Sequence, residues 1–200
     1  MRERYLAAGA VCALETNSEQ ILEVARESFV PLEDSRTPED LHWRFWVDPA
    51  ARGGPPWPKP YFRGLDHLVF AGFDAANSFL ADLRGRRAIG RFSPTLAEDR
   101  TMWRKVIFPV LLSTLGASVG VTVLHCGCVA LEGEGLLLAG ASGSGKSALA
   151  LSLAQQGFEL LADDRTFFSR REGRLLAWGD RKSTRLNSSH IQKSRMPSSA

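Results

Sequence analysis

The sequence predicts an α/β fold in two parts, and three observations carry that prediction. A short apolar run, Leu136 to Ala139, leads straight into a glycine-rich octet, Gly140 to Ser147, which opens a helical run. A second apolar run, Phe158 to Ala162, follows that helix and ends at Asp163-Asp164. The first half alternates in steps of two over several segments and holds one amphipathic helix, the pattern of a small α+β unit. The expected division is 1–94 for that unit, 95–120 for a connecting helix, 121–179 for an incomplete α/β domain and 180–200 for a tail of foreign origin.

In the first part, Tyr5 to Glu15 reads as one strand with small residues on both faces. Asn17 is the expected cap of a helix running from Gln20 to about Ser28, with Ile21, Val24, Ala25 and Phe29 near one face. Leu41 to Asp48 sets Trp43, Phe45 and Val47 against His42, Arg44 and Trp46, a strand alternation. Residues 49–60 contain five prolines and two glycines and read as a loop. Three strands are expected near Tyr61–Phe70, Asn77–Leu83 and Arg87–Phe92, the last two joined across Arg84-Gly85-Arg86. No internal repeat is visible.

Thr95 and Glu98 have the spacing of a capping box. The helix they open includes Met102, Trp103, Val106 and Ile107. Pro109 should kink or restart it, and Gly116 and Gly120 punctuate its end. Beyond it Val121 to Leu131 is β-rich, and Glu132 to Gly135 is a turn. Leu136 to Ala139 has the character of a buried strand. Gly157 is placed to end the helix after the octet. Arg165–Ser169 and Arg174–Trp178 can pair across Arg171-Glu172-Gly173.

The octet reads Gly140-Ala141-Ser142-Gly143-Ser144-Gly145-Lys146-Ser147, the G-x-x-x-x-G-K-[ST] pattern of a P-loop. Glycines let the backbone bend tightly and aim successive N–H groups at an anion. The helix that follows presents its positive end to the same point. Lys146 can reach the β- and γ-phosphates of a nucleotide, and the Ser147 hydroxyl can ligate Mg²⁺. The expected ligands are therefore ATP and Mg²⁺. Asp163 and Asp164 stand at the end of the next apolar run, where a parallel α/β sheet puts its crevice. One carboxylate can hold Mg²⁺ and the other accept a proton; the competing reading is an Asp-Asp turn or cap. By itself His125 reads as a packed or hydrogen-bonded strand histidine. Cys126 and Cys128 flank Gly127 with no second Cys/His pair nearby, so small buried residues are expected there, not zinc. Trp43, Trp46, Trp57, Trp103 and Trp178 show no stacking-platform spacing and read as core or hinge packing.

Composition narrows the classes. Hydrophobic residues form 44% of the 200, enough for a core, and the three cysteines make no disulfide framework. No apolar run is long enough for a membrane span, and a cytoplasmic location is expected. Asp180 to His190, DRKSTRLNSSH, and Ser194 to Ala200, SRMPSSA, resemble the translation of a common short-read sequencing adapter in one frame, so 180–200 is left out of fold reasoning. Those residues hold five of the 25 Lys/Arg and one of the 22 acidic groups, leaving 20 against 21 and a formal charge of −1. The pI near 9.0 is thus a tail effect and gives no support for nucleic-acid binding. The native sequence is expected to continue past Gly179.

Taken together, His125, Gly133 and Gly135, the octet, Gly157 and Asp163-Asp164 resemble the catalytic domain of bacterial HPr kinase/phosphorylase and its relatives. The stretch from His125 to about Phe168 carries the resemblance, and the short step from Lys146 to Asp163 is its selective part. The resemblance implies a P-loop kinase core of the type shared with phosphoenolpyruvate carboxykinase. It implies transfer of the ATP γ-phosphate to a serine of a small acceptor protein such as an HPr-like carrier. In that scheme Asp163 is the catalytic base, Asp164 helps with Mg²⁺, His125 lies near the phosphates, and Lys146 and Ser147 keep their loop roles. Ala148 departs from the pattern, which has Glu there, and the N-terminal half does not resemble the family's regulatory domain. The alternatives are a non-catalytic nucleotide-binding accessory protein on the same fold and an unrelated P-loop NTPase. Homo-oligomerisation is left open, and the 200-residue product is expected to be inactive as a kinase.

Overall fold

A computed structural model describes residues 1–34, 36–171 and 173–179. The foreign-tail reading of 180–200 and the turn residue Glu172 lie outside them. The chain forms two units, Met1–Thr122 and a second that begins at Val123. No described helix is long and apolar enough to cross a membrane.

The expected single strand over Tyr5–Glu15 is a hairpin, β1 (Arg2–Ala7) and β2 (Ala10–Thr16). Ala8 and Gly9 turn it with φ of 50° and 82°. Two left-handed residues suit a tight hairpin turn, and an alanine among them masks the usual Asn-Gly signal. Helix α1 (Glu19–Ser28) is capped by Ser18, whose hydroxyl accepts from Ile21 N at 3.4 Å. Asn17 instead clamps the end of β4 (Leu41–Val47), its amide bonding Val47 O at 2.9 Å and Val47 N at 2.7 Å. A two-residue β3 (Val30–Pro31) closes one edge of the sheet.

The expected strand over Tyr61–Phe70 is also split. β5 (Tyr61–Leu65) and β6 (Leu68–Gly72) join through Asp66, held at φ 52°. β7 (Ser78–Asp82) and β8 (Arg87–Phe92) follow as expected. The eight strands lie in the order β3-β1-β2-β4-β8-β7-β6-β5. Central β4 runs parallel to β2 and β8, and the other pairs are antiparallel.

Helices cover one face of this sheet. α2 (Pro94–Glu98) is capped by Ser93, not Thr95, because Pro94 fits the first helical position, where no N–H is needed. α3 (Arg100–Met102) passes into a π-helical segment, Trp103–Ile107, before α4 (Phe108–Leu115). Pro109 removes one N–H and crowds the carbonyl four residues back, and the wider turn just upstream absorbs both effects. Gly120 ends the run at φ 78°. Trp103 is fully buried, with ring centroids 4.9 Å from Phe92, 5.2 Å from Phe108 and 5.6 Å from Phe45. Its indole N–H donates to Leu96 O at 2.9 Å. Trp43 is also core, whereas Trp46 is 60% exposed, contrary to the packing role expected of it.

After β9 (Val121–Leu124), the second unit contains β10 (Gly127–Leu131), β11 (Glu134–Leu138), α5 (Lys146–Gln155) and β12 (Glu159–Ala162). β13 (Thr166–Arg171) and β14 (Arg174–Trp178) pair as an antiparallel hairpin. The sheet order β11-β10-β12 corrects two expectations. Both outer strands are antiparallel to β10, so the sheet around the octet is not a parallel one. β11 is an edge strand with only Leu138 buried, not a strand buried on both faces. α5 packs Ala150 against Val129 and Leu138, with Leu153, Phe158 and Leu160 around them. The other face packs Cys128, Ala130, Leu161 and Ala162 against Leu137 and Ala177. The overall class is mixed α/β, with sheets and few helices.

Candidate functional site

Topology brings three segments to one end of the second unit's sheet. β11 and β12 flank β10 and run the same way, so both finish where β10 starts. The register states this directly: Gly127 lies opposite Leu138, and Cys128 opposite Ala162. The octet leaves the end of β11, Asp163-Asp164 leave the end of β12, and His125-Cys126 precede β10. The three segments therefore share one end of an antiparallel sheet, because two co-directional strands are separated by one reversed strand.

The octet is exposed, and its geometry is set by glycine. Gly143 and Gly145 sit at φ 78° and 85° with nothing within 4 Å of an added Cβ. Gly145 is the N-cap of α5, and no side chain caps the helix. The first-turn N–H groups of the helix thus lack the side-chain acceptor that most helices supply, which leaves a positive helix end beside the loop. Lys146 Nζ folds back over the octet and donates to Gly140 O and Ala141 O, both at 3.0 Å. A cationic head already lies across the loop, held by two carbonyls that a phosphate oxygen can replace.

On the facing segments, His125 Nδ1 lies 3.2 Å from Asp164 Oδ1, with both side chains largely exposed. Asp163 is exposed beside them. Among the described residues no group of three or more His, Cys, Asp or Glu gathers for a metal. Mg²⁺ asks for less: one or two carboxylate or hydroxyl oxygens, with water and substrate phosphates completing its shell. Ser147 and Asp164 carry hard oxygens of the kind that demand calls for.

Two residues that sequence reasoning passed over build this end of the sheet. A Cβ at Gly127 would lie 3.2 Å from Asp163 O, 3.5 Å from Ala162 O and 3.5 Å from Leu138 Cβ. Thr166, fully buried, donates its hydroxyl to Cys126 O at 2.9 Å and ties the segment before β10 to the start of β13. Nothing in one sequence distinguishes this threonine from any strand threonine. The Gly127 signal was present as a lone small residue between two cysteines. Those cysteines are buried, as expected. Burial, with Cys126 beside it, pushes the Cys128 thiol up to about 11.

Residues 119–187 match the family described as HPr Serine kinase C-terminal domain. The match runs past Gly179 into the stretch read as foreign. A 42-residue segment is 55% identical to an HPr kinase/phosphorylase of Lactobacillus acidophilus. That segment is 21% of this chain and 13% of the relative, so the chain matches only a small part of that protein's length.

Proposed function

We propose, from the premise that residues 119–187 belong to the HPr serine kinase C-terminal domain family, that this chain binds ATP at a P-loop and belongs to a kinase acting on a protein serine. The observation that carries the reading is the meeting of Gly140–Ser147, Asp163-Asp164 and His125 at one end of the β11-β10-β12 sheet. The division 1–94, 95–120 and 121–179 is kept as part of the proposal, and a cytoplasmic location follows from it.

In this reading the octet's N–H groups and the uncapped start of α5 hold the phosphates. Lys146 exchanges the carbonyls of Gly140 and Ala141 for β- and γ-phosphate oxygens. Ser147 and Asp164 would hold Mg²⁺, which when bound neutralises phosphate charge and orients the γ-phosphoryl group. Asp163 accepts the proton of the attacking serine hydroxyl as the new O–P bond forms. The bond from the γ-phosphorus to the β–γ bridging oxygen breaks, and ADP leaves with that electron pair. His125 acts through Asp164 as a positioning residue. The acceptor serine belongs to a small protein, of which an HPr-like carrier is the first to test.

The test is twofold. Titration calorimetry of Mg·ATP should show Lys146→Ala binding roughly a hundredfold weaker, because charge-assisted hydrogen bonds of about 1.5–3 kcal/mol are lost. Unchanged binding removes the P-loop assignment. The full-length protein, incubated with γ-labelled ATP and an HPr-like carrier, should label a serine, and Asp163→Asn should abolish the label. Binding without transfer to any protein leaves the accessory-protein alternative.

A further inference from the structure

Strand β5 stands at the free edge of the first unit's sheet and pairs only with β6 among the described strands. Natural edges are short, charged, bulged or covered; β5 carries one charge, Arg63, and no bulge. All five of its residues are exposed, including Tyr61, Phe62 and Leu65, the last at 77%. The ladder to β6 runs without a bulge from Tyr61↔Gly72 to Leu65↔Leu68.

Gly64 has no intramolecular reason to be glycine. Its φ is not positive, and a Cβ there would meet nothing within 4 Å. A strand-interior glycine without a bulge often marks where another backbone comes close. Contrast Gly72 on the neighbouring strand, where a Cβ would strike the Tyr61 ring, so that glycine is explained from within. Tyr61 lies over Gly72 with its ring centroid 5.8 Å from Phe70. The outer face of β5 is thus partly occupied by its own tyrosine, while Phe62 and the strand's edge are left open.

The segment that leads into and through β5 is basic. Residues 49–65 include Arg52, Lys59 and Arg63 and no acidic residue. Arg63 makes no ion pair among the described residues, and its guanidinium donates to the neighbouring Phe62 carbonyl at 3.3 Å. The nearby Asp66 is engaged by His67 at 2.8 Å and by Arg84 at 3.4 Å.

We propose that the β5 edge takes an extended segment of another protein as a ninth strand, with an acidic residue opposite Arg63 and apolar residues beside it. Main-chain hydrogen bonds along about 17 Å of strand would supply affinity, and Arg63 with Phe62 would select the sequence. A second copy of this chain is the poorer occupant: symmetric antiparallel pairing centred on the strand sets Arg63 against Arg63, and directly opposed like charges destabilise a sheet.

The probe is a fluorescein-labelled octapeptide of alternating Thr and Val with one central Glu, and a twin with Lys in place of Glu. Anisotropy with the full chain should show saturable binding of the Glu peptide, and hydrogen exchange should slow across residues 61–65. The Lys twin should bind roughly tenfold more weakly, the swing between an attractive and a repulsive cross-strand pair. Arg63→Glu, an exposed substitution, should reverse that order, which also shows that the variant is folded. Equal binding of both peptides to both proteins, or no protection of 61–65, overturns the proposal. So does a peptide-free dimer in light scattering that protects 61–65 and is dispersed by Phe62→Asp, because the edge then belongs to a second copy.

Discussion

His125 Nδ1 and Asp164 Oδ1 lie 3.2 Å apart, joining the residue two before β10 to the second residue after β12. Both side chains are about two-thirds exposed, at 65% and 67%. An exposed pair of this kind contributes ~0–1 kcal/mol to stability. Under the kinase reading, its use is to aim the Asp164 carboxylate. His125→Ala should therefore leave the melting temperature nearly unchanged and weaken Mg·ATP binding by roughly tenfold, as losses of groups behind a metal ligand do. Calorimetry at saturating and limiting Mg²⁺ separates the two effects. A large drop in melting temperature would mean the pair is structural instead.

Gly127 tests the sheet end itself. An added methyl group lies 3.2 Å from Asp163 O, tighter than ordinary contact, and the backbone must give by a few tenths of an ångström. Gly127→Ala should cost about 1–3 kcal/mol as an overpacked site. Under the kinase reading it should lower transfer more than ATP binding, because Asp163 moves and the octet does not. Equal losses in both would show that the strand pairing as a whole has slipped.

Much of this site could be read from residue order, because its parts are local. The octet, the helix after it and the Asp-Asp end of β12 each lie within a few residues of a strong signal. What stayed hidden was pairing. An apolar run such as Leu136–Ala139 looks the same at an edge as in a sheet centre, and strand direction leaves no mark in composition. The hairpins at Ala8-Gly9 and Asp66-His67 were missed for a related reason: left-handed turns were formed by residues other than Asn-Gly. The helix caps failed by one or two residues, Ser18 for Asn17 and Ser93 for Thr95, because hydroxyl and amide side chains crowd both helix starts.

Asn77 is the least expected structural residue of the first unit. It is fully buried. Its amide donates to both carboxylate oxygens of Asp74 at 2.8 Å, and its own oxygen accepts from Ser93 N at 2.7 Å. One side chain thus ties the turn before β7 to the cap of α2. Asn77→Ala strands a buried N–H and leaves a carboxylate short of donors, costing about 3 kcal/mol from two unsatisfied groups. Asn77→Asp sets two carboxylates against each other, so its loss of stability relative to wild type should be smaller near pH 4 than near pH 7, as protonation relieves the repulsion. Urea midpoints of both proteins at the two pH values decide it, and a difference that grows toward pH 4 would contradict the geometry.

The alkaline limb should report Cys128. Its ordinary pKa of 9.0 is pushed to about 11 in the folded chain, first by burial and then by Cys126. Below pH 9 the thiol is neutral in both states, so its burial contributes in full. As pH rises the unfolded thiol ionises first, and the unfolded state gains stability the folded state cannot match. Stability is therefore lost between pH 9 and about 11 and levels off above it. Cys128→Ala removes the titrating group while keeping a small apolar side chain. The gap between wild type and variant in urea midpoint should then shrink steadily over that window. A gap that stays constant across it would mean the thiolate forms as readily in the folded strand as in the unfolded chain, and that β10 opens to water at this position.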